Sequence, residues 1–317
     1  MPHSKCLIID QMHPSIVDLL DQNNFDADYQ PKTTREEILE IVPAYQGLIV
    51  RSKTPIDKEL IDRATSLRFV ARAGAGLDNI DTDYLRLKKI AVISAPEGNR
   101  DALAEHAVGL LLNLSHRIGS GHDQVRQGIW DREGNRGVEV MGKTVGLIGY
   151  GFMGKAFAQR LKSFGCEVLA YDKYKEGFSD QFVTEATLET LWEQAQIISL
   201  HVPLTPETLG FYDFRFFSNF KHNLLVLNTA RGEILPLKDL VRLMDSSKIT
   251  GVALDVLSKE PISKLADNQQ DVHNYLVNSS RVLLTPHIGG WSHESYERIN
   301  QVLVSKIKQL GFDKSIT

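Results

Sequence analysis

Short apolar runs alternate with segments of helical spacing along almost the whole chain. The runs are typical of buried strands and the segments of amphipathic helices, so the alternation predicts a parallel sheet with helices on its faces. Asp57 and Asp81 precede two of these segments and are candidate helix N-caps. In the first hundred residues the predicted strands are residues 6–9, 47–50, 69–72 and 91–93. The helices predicted there are residues 14–22, 35–42, 57–64 and 81–87.

The middle of the chain interrupts this alternation. Residues 102–118 carry a broad apolar face, which predicts a helix that is buried on several sides. Residues 119–141 are rich in glycine and charge and lack apolar periodicity, so we expect a functional loop or an arm that packs on another subunit. The alternation then restarts. Strands are predicted at residues 145–148, 167–171, 196–201, 224–228, 251–256 and 282–285, and helices at residues 152–164, 187–194, 236–245 and 293–310.

The restart after Gly142 predicts a complete nucleotide-binding domain inserted into the first domain, to which the last helix returns. The predicted fold class is α/β with two Rossmann-like domains, each built on a doubly wound parallel sheet. The first domain, which is flavodoxin-like, is assigned residues 1–98 and 288–317, and the inserted nucleotide-binding domain residues 99–287. The length of 317 residues is typical of two domains.

Composition and charge exclude several classes of function. The net charge of −4 argues against non-specific binding to nucleic acid or to a membrane surface. Two cysteines, Cys6 and Cys166, and ten histidines without H-E-x-x-H spacing predict neither a disulfide framework nor a metal site. No apolar run reaches the roughly 18 residues of a membrane span, and the N-terminal run is too short for a signal peptide. We therefore expect a soluble cytoplasmic protein without a metal.

Residues 149–154, Gly-Tyr-Gly-Phe-Met-Gly, form a G-x-G-x-x-G motif between a predicted strand and a predicted helix. Such glycines permit a tight turn, the approach of a pyrophosphate to the helix N-terminus, and close packing of helix on strand. Asp172 ends the next predicted strand, 18 residues after the last glycine. A carboxylate there accepts hydrogen bonds from ribose hydroxyls and repels a 2′-phosphate, so the motif predicts NAD. Lys173 and Lys175 weaken the exclusion of NADP.

Three further strand ends carry polar residues that suit hydride transfer to a 2-keto acid. Arg231, Glu260 and His287 each follow a different predicted strand, and chemistry in doubly wound sheets lies beyond the carboxyl ends of the strands. A guanidinium can hold a carboxylate and polarise a ketone, and an imidazole can move the hydroxyl proton. An acid beside the imidazole orients it and raises its pKa. Each residue alone also fits a structural role, as a surface ion pair, a solvated acid or a turn histidine.

These motifs resemble those of the D-isomer-specific 2-hydroxyacid dehydrogenase family in order along almost the whole chain. The matching segments are residues 149–154, 201–205, 228–232, 255, 260–261 and 286–290. The resemblance implies two Rossmann-like domains with the active site in the cleft between them, and Arg231, Glu260 and His287 as the catalytic set. It implies that Asp255 contacts the nicotinamide amide. The implied cofactor contacts are Gly149, Gly151, Phe152, Met153, Gly154, Asp172, His201, Val202, Pro203, Thr229, Ala230, Asp255, His287, Gly289 and Gly290.

Residues 50–52, 71–81 and 96–99 look most like the branch of the family that oxidises D-3-phosphoglycerate to 3-phosphohydroxypyruvate in serine biosynthesis. A phosphorylated acid requires several cations. The resemblance also implies a homodimer built around residues 102–141. The chain ends at Thr317, so a C-terminal regulatory domain and serine feedback through it are not expected. The implied substrate contacts are Arg51, Ala73, Gly74, Ala75, Asn99 and Arg132.

Other functions stay open at this point. Trp291 stands where that branch commonly has a small hydroxylic residue, so a hydroxypyruvate or glyoxylate reductase or a D-lactate dehydrogenase is the nearest alternative. A formate dehydrogenase is set aside because it would carry Gln in place of Glu260. An NAD-sensing, corepressor-like scaffold is an alternative of another class, but it would need an exposed apolar groove that the sequence does not indicate.

Overall fold

The computed structural model describes residues 4–261 and 270–311. The chain forms two compact units: Met1–Arg100 with Trp291–Thr317, which we refer to as the first unit, and Asp101–Gly290, the second unit. Thr317, with which the chain ends, lies outside the described residues. Within the described residues, every helix is too short or too polar to cross a membrane.

Parallel strands and helices alternate through both units. The strands are β1 (Ser4–Ile8), β2 (Phe25–Tyr29), β3 (Gly47–Val50), β4 (Phe69–Arg72), β5 (Ala91–Ser94), β6 (Thr144–Ile148), β7 (Glu167–Tyr171), β8 (Thr184–Glu185), β9 (Ile197–Leu200), β10 (Leu224–Asn228), β11 (Ile249–Leu254) and β12 (Val282–Leu284). The helices are α1 (Ser15–Asp21), α2 (Arg35–Ile41), α3 (Lys58–Arg63), α4 (Thr82–Leu87), α5 (Pro96–His116), α6 (Ile118–Arg126), α7 (Phe152–Leu161), α8 (Leu188–Gln194), α9 (Phe214–Ser218), α10 (Leu237–Asp245), α11 (Gln270–Asn278) and α12 (His293–Gln309).

The described part of the first unit contains a parallel sheet with strand order β2-β1-β3-β4-β5. Alternate side chains of β1 enter two different cores, because successive residues of a strand point to opposite faces. Cys6 and Ile8 pack in the core that includes buried residues of α1 and α12, and Leu7 packs in the core under α2, α3 and α4. Burial on both faces explains why these strands are almost continuously apolar.

The described part of the second unit contains a parallel sheet with strand order β12-β11-β10-β9-β6-β7-β8. β6 lies between β7 and β9, so the direction in which successive strands are added reverses beside it. Such a reversal opens a crevice at the carboxyl ends of the strands, where doubly wound sheets bind ligands. α5 and α7 cover one face of this sheet, and α8, α9 and α10 cover the other.

The structure corrects the prediction for the middle of the chain. α5 ends at His116, and Arg117 adopts a left-handed backbone with φ of 56°. A second helix, α6, then covers residues that the sequence analysis assigned to a loop or arm. The glycines at positions 119 and 121 disfavour helix in isolation, but the side chain of Asn113 accepts a hydrogen bond from the Gly119 N–H at 2.8 Å and stabilises the new start.

Local signals located the starts of α3 and α4, whereas α5 begins at Pro96, six residues before its predicted start at residue 102. The side chain of Asp57 accepts from the Leu60 N–H, and that of Asp81 accepts from the Tyr84 N–H, so both predicted N-caps are confirmed. Four short elements were not predicted, namely β2, β8, α9 and α11. β2 has a single buried residue, Phe25, so its apolar signal is weak.

Candidate active site

The glycine turn joins β6 to α7 and leaves open space beside one glycine. Gly149 has φ of +95°, and a Cβ there would lie 2.5 Å from the His201 carbonyl oxygen. A Cβ on Gly154 would lie 2.3 Å from the Gly149 carbonyl oxygen, so both positions require glycine for close packing. Gly151, directly before α7, has no atom within 4 Å of an added Cβ. A ligand phosphate can therefore approach the backbone and the free N–H groups of the helix N-terminus there.

Asp172 lies beside this turn at the end of β7. One of its carboxylate oxygens accepts the Tyr150 N–H at 2.9 Å, and the other accepts the Tyr174 N–H at 3.0 Å. A carboxylate has about four acceptor positions, so capacity for ribose hydroxyls is left. The two lysines that follow have other partners: Lys173 pairs with Glu207 at 2.7 Å, and Lys175 donates to the Tyr150 carbonyl at 2.6 Å.

Two buried side-chain atoms without a hydrogen-bond partner lie just after β9 and β10. His201 shares a hydrogen bond between its Nε2 and the Ser199 hydroxyl at 2.9 Å, but its Nδ1 is buried without a partner in the structure. Burial lowers the pKa of His201 to about 4, so its ring is neutral near pH 7. Thr229 Oγ1 is also buried and without a partner. Buried polar atoms are normally satisfied, so these two fit a polar ligand.

His287 and Glu260 form a close hydrogen-bonded pair. Nδ1 of His287 lies 2.7 Å from Glu260 Oε2, and Oε1 of Glu260 accepts the Leu257 N–H at 3.0 Å. The hydrogen bond to Glu260 raises the pKa of His287, against a smaller lowering by burial. Burial raises the pKa of Glu260, but hydrogen bonds from His287 and Leu257 together outweigh it, and the pKa lies below its usual value. The Nδ1–H thus points to the acid, which leaves Nε2 to gain or lose a proton.

Arg231 belongs to the same cluster. The side chain of Asn228 shapes its turn by donating to the Arg231 carbonyl at 2.9 Å and accepting the Ala230 N–H at 3.0 Å. The next residue, Gly232, has no room for a side chain, since a Cβ would lie 2.0 Å from the carbonyl carbon of Leu257. The Arg231 turn therefore packs on the loop that leads to Glu260. The charge of Arg231 also opposes the rise in the pKa of His287, which places the two within electrostatic range.

A buried carboxylate organises the turn that carries His287. Asp255, 2% exposed, accepts the Thr285 hydroxyl at 2.6 Å and the Ile288 N–H at 2.9 Å on one oxygen, and the Gly289 N–H at 2.8 Å on the other. Burial raises the pKa of Asp255, but these bonds and one from His106 lower it further than burial raises it. The sequence analysis did not single out Thr285 or His106. The only available signal for His106 was a polar residue within the apolar face of α5.

The predicted substrate residues of the first unit also have defined surroundings. The Arg51 guanidinium lies over the Trp291 ring, 4.4 Å from its centroid, and 5.5 Å from that of Tyr296. Gly74, in the loop after β4, has φ of +136°, and its carbonyl accepts the Ala95 N–H at 2.8 Å. Asn99 has a buried Oδ1 without a partner in the structure.

Arg132, another predicted substrate residue, lies in the irregular segment after α6 and is exposed. The structure therefore describes it as a surface residue of the second unit. Over residues 4–261 and 270–311, no group of three or more His, Cys, Asp or Glu side chains is arranged to hold a metal ion.

The doubly wound sheet, its glycine turn and the acid at the next strand end define a dinucleotide-binding α/β protein. Residues 108–289 match the family described as D-isomer specific 2-hydroxyacid dehydrogenase, NAD binding domain. The chain belongs to this family. Its NAD cofactor and its α/β fold with two Rossmann-type sheets, both predicted from the sequence, are confirmed.

Known relatives extend the similarity over nearly the whole chain. A D-3-phosphoglycerate dehydrogenase of Archaeoglobus fulgidus is 33% identical over 309 residues, which are 97% of this chain and 57% of the relative. The chain thus spans little more than half the length of that relative. A hydroxypyruvate reductase of Thermotoga maritima is 34% identical over 278 residues, 87% of this chain and 89% of the relative. The crystal structure of a glyoxylate reductase from Paecilomyes thermophila has a TM-score of 0.85 at 25% identity, covering 98% of this chain and 95% of that one.

Proposed function

We propose that this protein is an NAD-dependent D-2-hydroxyacid dehydrogenase, which transfers a hydride between nicotinamide and C2 of a 2-hydroxy or 2-keto acid. The observation that carries the proposal is the 2.7 Å hydrogen bond between His287 Nδ1 and Glu260, beside Arg231 and within the unit that contains the NAD-binding domain. This arrangement supplies a proton donor and a cation within the cofactor domain, and reduction of a keto acid requires both.

His287 moves the proton in this mechanism. In the reducing direction its imidazolium gives the Nε2 proton to the oxygen that develops on C2, and the ring becomes neutral. In the oxidising direction the neutral ring takes the hydroxyl proton. Bound NADH supplies the hydride for reduction, and NAD⁺ accepts it in oxidation. Glu260 stabilises the imidazolium by charge and orients the ring through Nδ1, as an acid beside a catalytic histidine does.

Arg231 balances the negative charge of the substrate carboxylate. Its planar guanidinium matches a carboxylate through two parallel hydrogen bonds, and its charge polarises the adjacent ketone. Because Gly232 packs on the backbone at Leu257, the position of Arg231 is tied to the loop that carries Glu260. The cation and the proton donor are thereby held relative to each other.

The fit of the second unit to NAD rests on the open space at Gly151 and on the unpartnered atoms of His201 and Thr229. We assign the pyrophosphate to the glycine turn and the ribose hydroxyls to Asp172. The full set of proposed contacts is Gly149, Gly151, Phe152, Met153, Gly154, Asp172, His201, Val202, Pro203, Thr229, Ala230, Asp255, His287, Gly289 and Gly290.

For the substrate we propose D-3-phosphoglycerate, oxidised to 3-phosphohydroxypyruvate in serine biosynthesis. The relative from A. fulgidus that carries this activity in its name supports it, as does Arg51, whose guanidinium is held on aromatic rings and offers its N–H groups to an anion. The proposed substrate contacts are Arg51, Ala73, Gly74, Ala75, Asn99 and Arg132. Hydroxypyruvate or glyoxylate is the second candidate, supported by the reductase of T. maritima.

Oxidation of NADH in the presence of a panel of 2-keto acids tests the proposal. The panel contains 3-phosphohydroxypyruvate, hydroxypyruvate, glyoxylate and pyruvate. We expect the highest kcat/KM with 3-phosphohydroxypyruvate, and a loss of that preference in Arg51→Ala. A higher kcat/KM for hydroxypyruvate or glyoxylate than for 3-phosphohydroxypyruvate, unchanged in Arg51→Ala, would favour the second candidate. Tight NADH binding without turnover of any acid would favour an NAD-sensing scaffold.

We also propose that the protein is a homodimer through residues 102–141. Several large apolar side chains of this segment are about half exposed or more, and Trp130 is 79% exposed. A run of exposed apolar side chains marks an interaction surface. Sedimentation equilibrium should give twice the chain mass, and Trp130→Lys should shift the equilibrium to monomer. The exposed residues that support the proposal are Ile118, Val125, Ile129, Trp130, Val138 and Met141.

A further inference from the structure

We propose that His106 is a positioning residue for His287, acting through the buried Asp255–Thr285 pair, and this rests on the function proposed for His287. Nε2 of His106 lies 3.1 Å from Thr285 Oγ1 and 3.3 Å from Asp255 Oδ1. α5 thus contacts the turn that follows β12, although His106 and Thr285 are 179 positions apart in the sequence.

The direction of these hydrogen bonds follows from their partners. The Thr285 hydroxyl uses its only proton on Asp255, at 2.6 Å, and the ionised carboxylate can only accept. Both atoms that face Nε2 of His106 are therefore acceptors. His106 must carry its proton on Nε2 and donate it to this pair, so the tautomer is set by the surroundings.

The same carboxylate holds the backbone on both sides of His287. Asp255 binds Thr285 before it and the N–H groups of Ile288 and Gly289 after it. The His287 N–H donates to the Asp255 carbonyl at 2.8 Å. His287 itself has φ of 56°, a left-handed conformation that is uncommon for a residue with a side chain and that is held here by its surroundings. The constraint here is the ring of hydrogen bonds around Asp255.

His106 completes that constraint by hydrogen bonding and by packing. A Cβ added to Gly289 would lie 2.8 Å from Asp255 Oδ2 and 3.4 Å from Cδ2 of His106, so the turn, the carboxylate and the imidazole are closely packed. Loss of the imidazole removes a donor from a buried charge and leaves space into which the turn can relax. The His287 ring would then leave its alignment with Glu260.

Two substitutions separate the donor from the bulk of the side chain. His106→Leu keeps apolar volume without a donor, and His106→Gln keeps a donor at a similar reach. We expect kcat for the most active keto acid of the panel to fall at least tenfold in His106→Leu and to recover largely in His106→Gln. The Kd of NADH, measured by fluorescence, should stay within twofold in both. His222→Leu, which removes a partly exposed histidine in the turn between α9 and β10, is the matched control and should behave as the unsubstituted protein.

A second measurement does not depend on activity. In protein labelled with ¹⁵N-histidine, the His287 ring signals are assigned by their loss in His287→Ala. We expect His106→Leu to shift or broaden the His287 Nδ1–H signal, whereas His106→Gln and His222→Leu leave it in place. An unchanged signal in His106→Leu overturns the inference, whatever the enzyme assay gives. Absence of turnover by the unsubstituted protein, with the signal still responding to His106→Leu, would overturn the proposed function alone.

Discussion

The guanidinium of Arg51 lies over the Trp291 ring, with its Cζ 4.4 Å from the ring centroid, and its Nη1 donates to the Gln11 carbonyl at 3.2 Å. The Arg51 N–H is bound by the buried carboxylate of Asp10. Both the backbone and the side chain of Arg51 are therefore held. Position 291 thus carries a ring that orients a cation.

Trp291→Ala should weaken binding of a substrate with a second negative charge. A cation–π contact at a half-exposed site contributes about 1 kcal/mol, which corresponds to about fivefold in affinity. We expect the KM for 3-phosphohydroxypyruvate to rise by roughly that factor, with kcat little changed, because the stack orders Arg51 and does not take part in proton transfer. Trp291→Phe should retain part of the effect. The same KM in Trp291→Ala and the unsubstituted protein would exclude this role.

Glu260→Gln should move the pH dependence of both reaction directions to lower pH. The hydrogen bond to Glu260 is the main cause of the raised pKa of His287, so its loss lowers that pKa. Reduction needs the imidazolium and declines as the pH rises through the pKa, so its decline should begin at lower pH. Oxidation needs the neutral ring, so the rise of its rate with pH should begin at lower pH as well. Steady-state rates from pH 5 to 9 measure both limbs.

His287→Ala is the companion to that experiment. General acid–base catalysis contributes roughly a hundredfold or more, so kcat should fall at least about a hundredfold while the Kd of NADH changes little. A pH profile of Glu260→Gln that matches the unsubstituted protein would show that another group titrates. An equal loss of NADH binding and of kcat in His287→Ala would instead indicate a structural role for the ring.

Asp172→Ala should reduce the preference for NADH over NADPH. The carboxylate repels a 2′-phosphate, while Lys173 and Lys175 are engaged by Glu207 and by a backbone carbonyl. Asp172→Asn is the matched control, since it removes the charge and keeps one acceptor oxygen. We expect the ratio of the two Kd values to fall about tenfold in Asp172→Ala and partly in Asp172→Asn. An unchanged ratio in both would assign the discrimination to another residue.

His201 should make the protein less stable in acid. Its pKa is about 4 in the folded state because it is buried, and about 6.5 when unfolded. As the pH falls, the His201 ring therefore takes up a proton in the unfolded chain before it does so in the folded protein. The free energy of unfolding decreases as the pH falls from 6.5 towards 4. The loss amounts to at most about 3 kcal/mol. Between pH 7 and pH 4.5 the free energy of unfolding in urea should fall less in His201→Asn than in the control His222→Asn, and equal decreases would contradict this cause.

Local signals in the sequence were sufficient to propose much of the candidate site. The glycine turn, Asp172 and the three polar residues after their strands all depend on spacing within one strand and the loop beside it. His106 could not be found this way, because its partners Asp255 and Thr285 are remote in sequence and a single histidine on an apolar helix face is usually structural. α6 was missed for a related reason, since the Asn113 side chain that stabilises its start belongs to the preceding helix.

The sequence by itself determined the alternation of strands and helices, the nucleotide turn and the residue types at the strand ends. Hydrophobic periodicity, capping residues and glycine conformations act over a few residues, so they can be read from the chain. Only the tertiary structure decided that β6 lies between β7 and β9, that His287 has a left-handed backbone, and that His106 meets Asp255. These features depend on contacts between segments that are distant in sequence. Such contacts form, and stabilise the structure, only when the sheet has formed.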